Sequence, residues 1–397
     1  MKTVVPFGLV LFLAGVFALG PFATDSYLAA IPHIADDLAV STSSVALTVS
    51  IYVFAMAIGQ LIGGPLCDRA GRRRTVILGL ALFILGGFVI TAADSLTSLY
   101  SGRIIQAIGG GIAFVCVPAI IRDNASGKEA AKLFTLIALI MMVAPSIAPS
   151  FGTLILKLMG WHWIFILMSA FAIVVAVAGL FLVPNSYQYK ADKSVSIVNS
   201  FIDIFNTREA RKYVVIQAAT YSVLMIFLTN SSMIYIENYG LSETLFSSLF
   251  ILNTAAGIIV NRLNSFLLNR YSPEKLLSAF VSLQVVGLLI LLTGQLVMPE
   301  NWLIVVLGFV IAMASLGGIL GNSNACFMSF FSSNTGVASS YLGATQSIAS
   351  AVIAALSTLL ITFGLGALAL LMLGLSVTAL LVSAKANQQA QPNQGAA

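Results

Sequence analysis

Long apolar stretches alternate with short polar segments along almost the whole chain. Twelve of these stretches have the length, about 20 residues or more, that a helix needs to cross the hydrocarbon core of a bilayer. The first six are predicted at Pro6–Ala30, Ser43–Leu66, Thr75–Ala93, Leu96–Ile121, Lys132–Met159 and His162–Val183. The second six are predicted at Lys212–Ile236, Glu243–Asn269, Pro273–Val297, Asn301–Phe331, Val337–Phe363 and Leu365–Ala384. The pattern predicts an all-α integral membrane protein with twelve transmembrane helices.

The longest polar stretch separates these two sets of six spans. It runs from Pro184 to Arg211, and we predict a cytoplasmic linker there with a short surface helix at Ser196–Phe205. The first apolar run continues to about Ile31 without a convincing cleavage site, so it is predicted to be a retained helix and not a secretory signal. The predicted organisation is an N-terminal six-helix bundle at 1–183, the linker at 184–211, a C-terminal six-helix bundle at 212–384 and a disordered cytoplasmic tail at 385–397.

Composition independently excludes a soluble fold. The chain is 59% hydrophobic and 8% charged, with a mean hydropathy of +1.01, whereas an ordinary soluble domain is about 25% charged. The net charge of +5 comes from basic residues in isolated loops without interleaved aromatic residues, so we expect no nucleic acid as a partner. Cys67, Cys116 and Cys326 are scattered without metal-ligand spacing, so no disulfide framework, metal site or cofactor is expected.

The distribution of basic residues predicts the orientation of the spans. If both termini are cytoplasmic, 17 of the 19 Lys and Arg residues lie on the cytoplasmic side. Lys157 is left on the outer side, and Arg103 lies inside a span. Basic residues in short loops set membrane topology, so we predict a multi-pass protein of the cell inner membrane with both termini in the cytoplasm.

A short basic loop between the second and third spans carries the most specific motif. It reads GGPLCDRAGRRR from Gly63 to Arg74. The spacing of its Gly, Asp and Arg residues resembles the signature loop between helices 2 and 3 of major facilitator superfamily transporters. The resemblance implies two six-helix bundles that rock around a central site. The residues that carry it are Gly64, Asp68, Arg69, Gly71 and Arg72.

The same resemblance implies a conformational latch on the cytoplasmic side. Asp68 would lie against the amino end of helix 11, where a helix dipole favours negative charge. Arg72 would pair with Asp123 beside Arg122, at the inner end of helix 4. In the alternative interpretation, the arginines serve only as topology signals.

Asp25 and Arg103 are the central charged residues inside predicted spans. Counting 1.5 Å per residue places Asp25 about 8 Å and Arg103 about 10 Å below the outer surface, so their depths match. If the two helices adjoin, Arg103 can neutralise Asp25, and a proton on Asp25 would change that attraction. Intramembrane carboxylates often belong to proton pathways. The alternatives are a fixed structural salt bridge or a carboxylate near the lipid headgroups.

Several segments around these residues resemble a narrower family. Pro21–Pro32 is similar to the helix 1 signature Asp-x-Tyr-Leu-Pro-Ala-x-Pro of the bicyclomycin/chloramphenicol resistance (Bcr/CflA) family of drug/proton antiporters, with Ala29 in place of the internal proline. The resemblance implies proton-coupled drug efflux, with Asp25 as the proton carrier and Arg103 assisting the transfer. The further matching segments are Arg103–Gln106 with Gly109–Gly111, Ile121–Asp123, Trp161–Phe165 and Gly336–Ser340 with Gly343 and Gln346.

The fifth span contains Pro145 and Pro149. Each proline removes a backbone donor and bends a helix, and the segment resembles the helix 5 motif of exporters. The alternative interpretation is an ordinary kinked packing helix.

Polar and aromatic side chains inside the spans are candidates for substrate binding. A mostly apolar cavity with aromatic, methionine and amide groups suits amphipathic small molecules. Each of these residues has helix packing as its alternative role. The candidates are Tyr52, Met56 and Gln60 in the second span, Gln106 in the fourth, Gln217 and Tyr221 in the seventh, Asn253 in the eighth and Gln346 in the eleventh.

The prediction is a monomeric transporter that exchanges protons for drugs or other small molecules by alternating access. The alternative of a membrane-embedded enzyme is disfavoured, because His33 and His162 are far apart in the sequence and have no cluster of partner residues. A phosphate-binding loop for ATP is absent from the sequence. A proton-coupled uptake symporter for a small metabolite on the same fold remains open.

Overall fold

A computed structural model describes residues 6–125, 127–184, 204–331 and 335–390. Some positions inside these ranges are described by their backbone only, among them Asp68 and Arg122. The described residues are almost entirely helical and contain no β-strand. The predicted surface helix at Ser196–Phe205 lies largely outside the described residues.

The described residues of the first half of the chain form seven α-helices. They are α1 (Phe7–Asp25), α2 (Ile31–Asp37), α3 (Thr42–Ala70), α4 (Arg72–Thr91), α5 (Leu96–Asn124), α6 (Gly127–Met159) and α7 (His162–Leu182). Local signals explain several of the boundaries. Ser41 and Ser95 accept hydrogen bonds from the first turns of α3 and α5, which satisfies backbone donors that a helix start leaves free. Gly71, with φ 90°, makes the turn between α3 and α4 in a conformation that other residues rarely adopt.

From Arg208 to Ala390, the described residues form a further seven α-helices. They are α8 (Arg208–Ser232), α9 (Glu243–Leu267), α10 (Pro273–Val297), α11 (Trp302–Ala314), α12 (Leu316–Met328), α13 (Thr335–Leu360) and α14 (Leu365–Ala390). A π-helical segment, Met233–Asn238, continues α8, and α11 and α12 together form one candidate span, Trp302–Met328.

Eleven of the described spans are long and apolar enough to cross a membrane, and α6 adds a shorter apolar stretch at Val143–Met159. The eleven candidate spans overlap the predicted ones, and Val143–Met159 covers the second part of the predicted span Lys132–Met159. Two details differ from the prediction. The first span is not one helix to Ala30, because α1 ends at Asp25 and a 3-10 turn, Leu28–Ala30, precedes α2. The last helix continues to Ala390, beyond the Lys385 at which the sequence predicts the disordered tail to begin.

The chain divides into two compact units. The first contains α1–α7 and the start of α9, Ser242–Phe250, and the second contains α8, the rest of α9 and α10–α14. Side-chain contacts tie the start of α9 to the first unit: the hydroxyl groups of Ser247 and Thr153 lie 2.6 Å apart, and His33 Nε2 lies 3.3 Å from Glu243 Oε1.

The same glycine-mediated crossing occurs once in each unit. A Cβ atom added to Gly79 of α4 would lie 2.7 Å from the backbone nitrogen of Ala113 in α5. A Cβ atom added to Gly287 of α10 would lie 2.7 Å from the backbone nitrogen of Ala312 in α11. Small residues let membrane helices approach this closely, and the matching pair is what an internal structural repeat predicts.

Large apolar side chains remain exposed on the helices. Phe181, Leu296 and Phe363 are 84%, 75% and 80% exposed, respectively. In water, such a surface would be unfavourable, whereas the acyl chains of a bilayer solvate it. The exposed faces are therefore those that contact lipid.

Candidate functional site

Arg103 is the centre of a buried cluster in the first unit. Its side chain projects from α5 and is 0% exposed. Nη1 donates hydrogen bonds to the carbonyl oxygen of Ala23 and to Oε1 of Gln106, each at 3.0 Å. A long cationic side chain is thus held rigidly inside a membrane-spanning bundle, where a charge is costly and needs partners.

Three aromatic rings surround the guanidinium group. Its central carbon lies 3.8 Å from the centre of the Tyr27 ring, 5.3 Å from that of Tyr52 and 5.2 Å from that of Phe165. The Tyr27 hydroxyl is itself fixed by a 2.8 Å hydrogen bond to the hydroxyl of Thr48. Desolvated cation–π contacts contribute about 2 kcal/mol, so the rings help to stabilise the buried charge. The Trp161–Phe165 motif at the start of α7 contributes one of these rings.

Asp25 belongs to the same cluster but forms no ion pair with Arg103. It is the last residue of α1 and is 4% exposed, and its Oδ1 atom has no hydrogen-bond partner among the described residues. The sequence analysis left a direct Asp25–Arg103 contact conditional on the two helices adjoining, and the described residues show no ion pair between these two side chains. The physical reason is that Arg103 bonds instead to the Ala23 carbonyl and stacks on Tyr27.

Ser169 is a member of this cluster that the sequence analysis missed. It lies on α7 and is 0% exposed. A Cβ atom added to Gly87 would lie 2.0 Å from Ser169 Oγ and 3.8 Å from Gln106 Nε2, so these two polar atoms are neighbours. The available signal was a single serine within an otherwise apolar span, His162–Leu182.

The α3 residues of the predicted substrate site occupy different environments. Tyr52 is buried beside Arg103, whereas the side chains of Met56 and Gln60 are half-buried. A Cβ atom added to Gly111 of α5 would lie 2.2 Å from the Met56 carbonyl oxygen and 2.9 Å from the Gln60 backbone nitrogen. The α3 backbone therefore packs directly on α5 at this level, and only Tyr52 joins the cluster around Arg103.

The second unit brings two of its predicted site residues together. Gln217 Nε2 on α8 donates a 2.6 Å hydrogen bond to Gln346 Oε1 on α13. Tyr221 lies one helical turn further along α8 and is half-buried. Both amide atoms of Asn253 on α9 are buried without a hydrogen-bond partner among the described residues. An unpaired buried amide is costly, so Asn253 stays a candidate for ligand binding.

Helix α6 packs closely against the end of α1. A Cβ atom added to Gly152 would lie 1.5 Å from the carbonyl oxygen of Ser26, the residue after Asp25. Pro145 and Pro149 both lie within α6, which continues as a helix through them. The absence of a side chain at Gly152 thus determines how closely α6 can approach the end of α1, where Asp25 lies.

The predicted Arg72–Asp123 contact is confirmed. Arg72 Nε donates to Asp123 Oδ2 at 3.0 Å, and Arg72 Nη1 donates to the carbonyl oxygen of Cys67 at 2.8 Å. Both partners lie in the first unit, so this pair fastens α4 to α5 and to the end of α3 and does not itself join two bundles. Of the remaining predicted latch residues, Gly64 has open space around its Cα and Arg69 is exposed. The side chains of Asp68 and Arg122 lie outside the described residues.

Cysteine and other metal-ligating side chains are dispersed in the described part of the chain. The three cysteines are free and buried. The described residues contain no group of three or more His, Cys, Asp or Glu side chains that could hold a metal ion.

Solved structures share the architecture of this chain. It superposes on a D-xylose–proton symporter with a TM-score of 0.79 at 16% identity, covering 96% of this chain and 97% of the symporter. It also superposes on a POT family transporter in complex with 5-aminolevulinic acid, with a TM-score of 0.76 at 15% identity and 97% coverage of both chains. At such low identity, these likenesses show the fold: twelve membrane helices in two six-helix bundles.

Sequence relatives match most of the chain. The bicyclomycin resistance protein homolog of Haemophilus influenzae is 29% identical over 282 residues, which cover 70% of this chain and 71% of the relative. The multidrug resistance protein MdtL of Escherichia coli is 29% identical over 335 residues, which cover 83% and 82%. The sequence model described as Major Facilitator Superfamily matches residues 7–354. The chain is therefore a multi-pass membrane transporter, not an enzyme, and belongs to the Major Facilitator Superfamily.

Proposed function

We propose that this transporter exports amphipathic small molecules, including drugs, in exchange for inward-moving protons. The observation that carries the proposal is the burial of two charged residues, Asp25 and Arg103, inside the spans of a major facilitator protein. Relatives named for bicyclomycin and multidrug resistance support drugs as the transported molecules.

Asp25 is the proposed proton carrier. A carrier must exist in a charged and a neutral form, and its position decides how easily it changes between them. Asp25 stands at the end of α1, where its Oδ1 atom has no hydrogen-bond partner among the described residues. Arg103 donates a hydrogen bond to the carbonyl oxygen of Ala23, two residues before Asp25. Because the arginine is held by Ala23 and Gln106 and not by Asp25, proton uptake breaks no direct salt bridge.

The proposed transport cycle follows the alternating-access scheme of the fold. Protons load Asp25 from the outer side, and the substrate enters from the cytoplasm when the bundles have rocked. Tyr52, Gln106, Gln217, Tyr221, Asn253 and Gln346, with Met56 and Gln60, supply the substrate contacts in this proposal. The protein acts as a monomer in the cell inner membrane with both termini in the cytoplasm, as the excess of basic residues in the inner loops supports. The Asp68 loop contributes the cytoplasmic latch.

The second candidate function is proton-coupled uptake. The D-xylose–proton symporter shares the fold, but the likeness at 16% identity carries no substrate information. The names of the relatives at 29% identity favour export.

Everted membrane vesicles distinguish these functions. Vesicles with an imposed proton gradient, acid inside, are treated with a substrate found by a growth-inhibition panel. For an antiporter, adding the substrate collapses the gradient, and Asp25→Asn abolishes this response while the protein remains inserted. The matched control is Asp36→Asn, at an exposed position on α2, which should respond like the wild type. A normal gradient-driven response from Asp25→Asn would remove Asp25 from the coupling step, and no response from the wild type to any panel compound would refute export.

A further inference from the structure

Two arginines of the second unit lie on an exposed part of α9 without an acidic partner. Arg262 is inside the candidate span Glu243–Leu267, and Arg270 follows the end of that span. Both side chains are exposed, and neither forms an ion pair within the described part of the chain. A charge at the level of a bilayer is costly without a partner, so an anion from outside the protein would stabilise this pair.

The two arginines share one helix face with large apolar side chains. Ile259, Leu263 and Phe266 are 68%, 47% and 59% exposed, respectively. Together with Arg262 and Arg270 they follow the three- and four-residue spacing of a single helix face. We call these five residues the arginine face of α9. It combines a surface suited to hydrocarbon with two positive charges.

Both guanidinium groups can reach the same level of the membrane. Helical hydrogen bonding continues past the end of α9, because the N–H of Tyr271 donates to the Leu267 carbonyl oxygen at 3.0 Å. Arg262 lies five residues before Leu267, about 8 Å at 1.5 Å per residue, and an arginine at such a depth extends its head group towards the membrane surface. The guanidinium carbon of Arg270 lies 6.0 Å from the centre of the Phe266 ring. Tyr271 is 52% exposed, as is typical of the aromatic belt at the membrane interface.

The acidic residues nearby in the sequence are directed elsewhere. In the segment Ile251–Ala397, which belongs to the second unit, the acids are Glu274 and Glu300. Glu274 forms a hydrogen bond with the buried Cys326, and Glu300 follows the opposite end of α10. The arginine face therefore keeps its positive charge. Guanidinium groups bind phosphate groups with two parallel hydrogen bonds, so a phosphate matches this face.

We propose that the arginine face of α9 binds an anionic phospholipid. Arg262 and Arg270 hold the phosphodiester of the headgroup, and the acyl chains lie against Ile259, Leu263 and Phe266. These apolar side chains favour a lipid over a free phosphate ion, which would gain nothing from them. In the proposed orientation, the lipid belongs to the cytoplasmic leaflet. The site is separate from the transport machinery and needs no transported substrate.

A tryptophan at position 266 reports on the lipid bound there. Phe266→Trp keeps an aromatic ring beside Arg270, and bromine atoms on the acyl chains of a lipid quench tryptophan fluorescence on contact. The full-length variant is reconstituted into bilayers of brominated phosphatidylglycerol with unbrominated phosphatidylcholine, and into the reverse mixture. The signal of the three native tryptophans is measured on the unsubstituted protein and subtracted. Phosphatidylglycerol should be favoured at least about fivefold, the factor expected for one arginine near the membrane surface.

Position 181 provides the matched control for the lipid preference. Phe181 is 84% exposed near the end of α7, and that helix contains no Lys or Arg. Phe181→Trp should therefore be quenched about equally by the two brominated lipids. The comparison separates binding at the arginine face from any general enrichment of phosphatidylglycerol around the protein.

Two charge-removing variants identify the residues that hold the headgroup. In the Phe266→Trp background, Arg262→Gln and Arg270→Gln should each lower the preference for phosphatidylglycerol by about two- to fivefold. The double variant should show the preference of position 181. Arg74→Gln removes the same charge from an exposed position on α4 in the first unit, and it should leave the preference at position 266 unchanged.

Equal lipid preferences at positions 266 and 181 overturn the proposal. So does an Arg74→Gln loss as large as that of Arg262→Gln, because the effect would then come from the net charge of the protein. The absence of quenching by either brominated lipid at position 266 also overturns it, since another part of the chain would then cover this face. If the arginine variants do not insert, the comparison of positions 266 and 181 decides alone.

Discussion

Gly152→Ala tests the close contact between α6 and α1. The added Cβ atom would lie 1.5 Å from the Ser26 carbonyl oxygen and 2.5 Å from its carbonyl carbon. Real Cβ contacts are essentially never shorter than 3.0 Å, so the two helices must separate by roughly 1.5 Å. The obstacle is backbone and cannot be relieved by a rotamer change. Overpacking of this kind typically costs about 1–3 kcal/mol and occasionally more, and we expect the upper end of that range.

The separation also moves the end of α1, where Asp25 lies. We therefore expect Gly152→Ala to lower the thermal unfolding temperature of the purified protein in detergent and to reduce gradient-driven transport. The matched control is Gly374→Ala in α14, where a Cβ atom meets nothing within 4 Å. Alanine is favoured over glycine inside a helix by about 1 kcal/mol, so the control should be neutral or slightly stabilising. If both variants have the same unfolding temperature and transport rate, the α1–α6 contact is not as close as the structure indicates.

Three further predictions concern single contacts. Arg103→Lys keeps the charge but loses the planar group that stacks on aromatic rings and bonds with fixed geometry. Transport in vesicles should therefore fall at least about tenfold while membrane insertion is unchanged. Wild-type transport by this variant would show that the charge alone suffices. Arg72→Gln should lower the free energy of unfolding by about 1.5–3 kcal/mol, the range for hydrogen bonds to charged groups. A double-mutant cycle with Asp123→Asn should show coupling between the two residues. Additive losses of stability would mean that their interaction contributes nothing. Gln217→Leu should destabilise the second unit by about 1–3 kcal/mol because the Gln346 amide is left unpaired. Adding Gln346→Leu should restore part of the lost stability in thermal scans. Further destabilisation by the double variant would contradict the hydrogen bond.

Much of the fold follows from local features of the chain. The twelve spans were located because a bilayer demands about 20 consecutive apolar residues, which a sequence displays directly. The Arg72–Asp123 contact was also predicted, through a resemblance at a well-defined motif. Prediction failed where a helix ends for tertiary reasons. The first span looks continuous to Ala30 in the sequence, yet α1 ends at Asp25 and the chain turns before Pro32 starts α2.

The sequence predicted the central residues of the candidate site but not all of its members. The sequence singled out Asp25, Arg103, Gln106 and Tyr52, because polar residues inside apolar spans are costly and therefore conspicuous. Ser169 was missed, since a serine can bond to the carbonyl groups of its own helix and is inexpensive in a membrane span. Whether Asp25 and Arg103 form a direct contact was left open, because equal depth in the bilayer does not determine which way two side chains point.

The sequence by itself determined the class, the spans and the charged residues that must be explained, because hydropathy and charge act through the bilayer and not through particular neighbours. The tertiary structure alone decided what each polar group contacts. Arg103 meets the Ala23 carbonyl, Tyr27 and Phe165, residues that lie far from it in the chain and come together only when the helices pack.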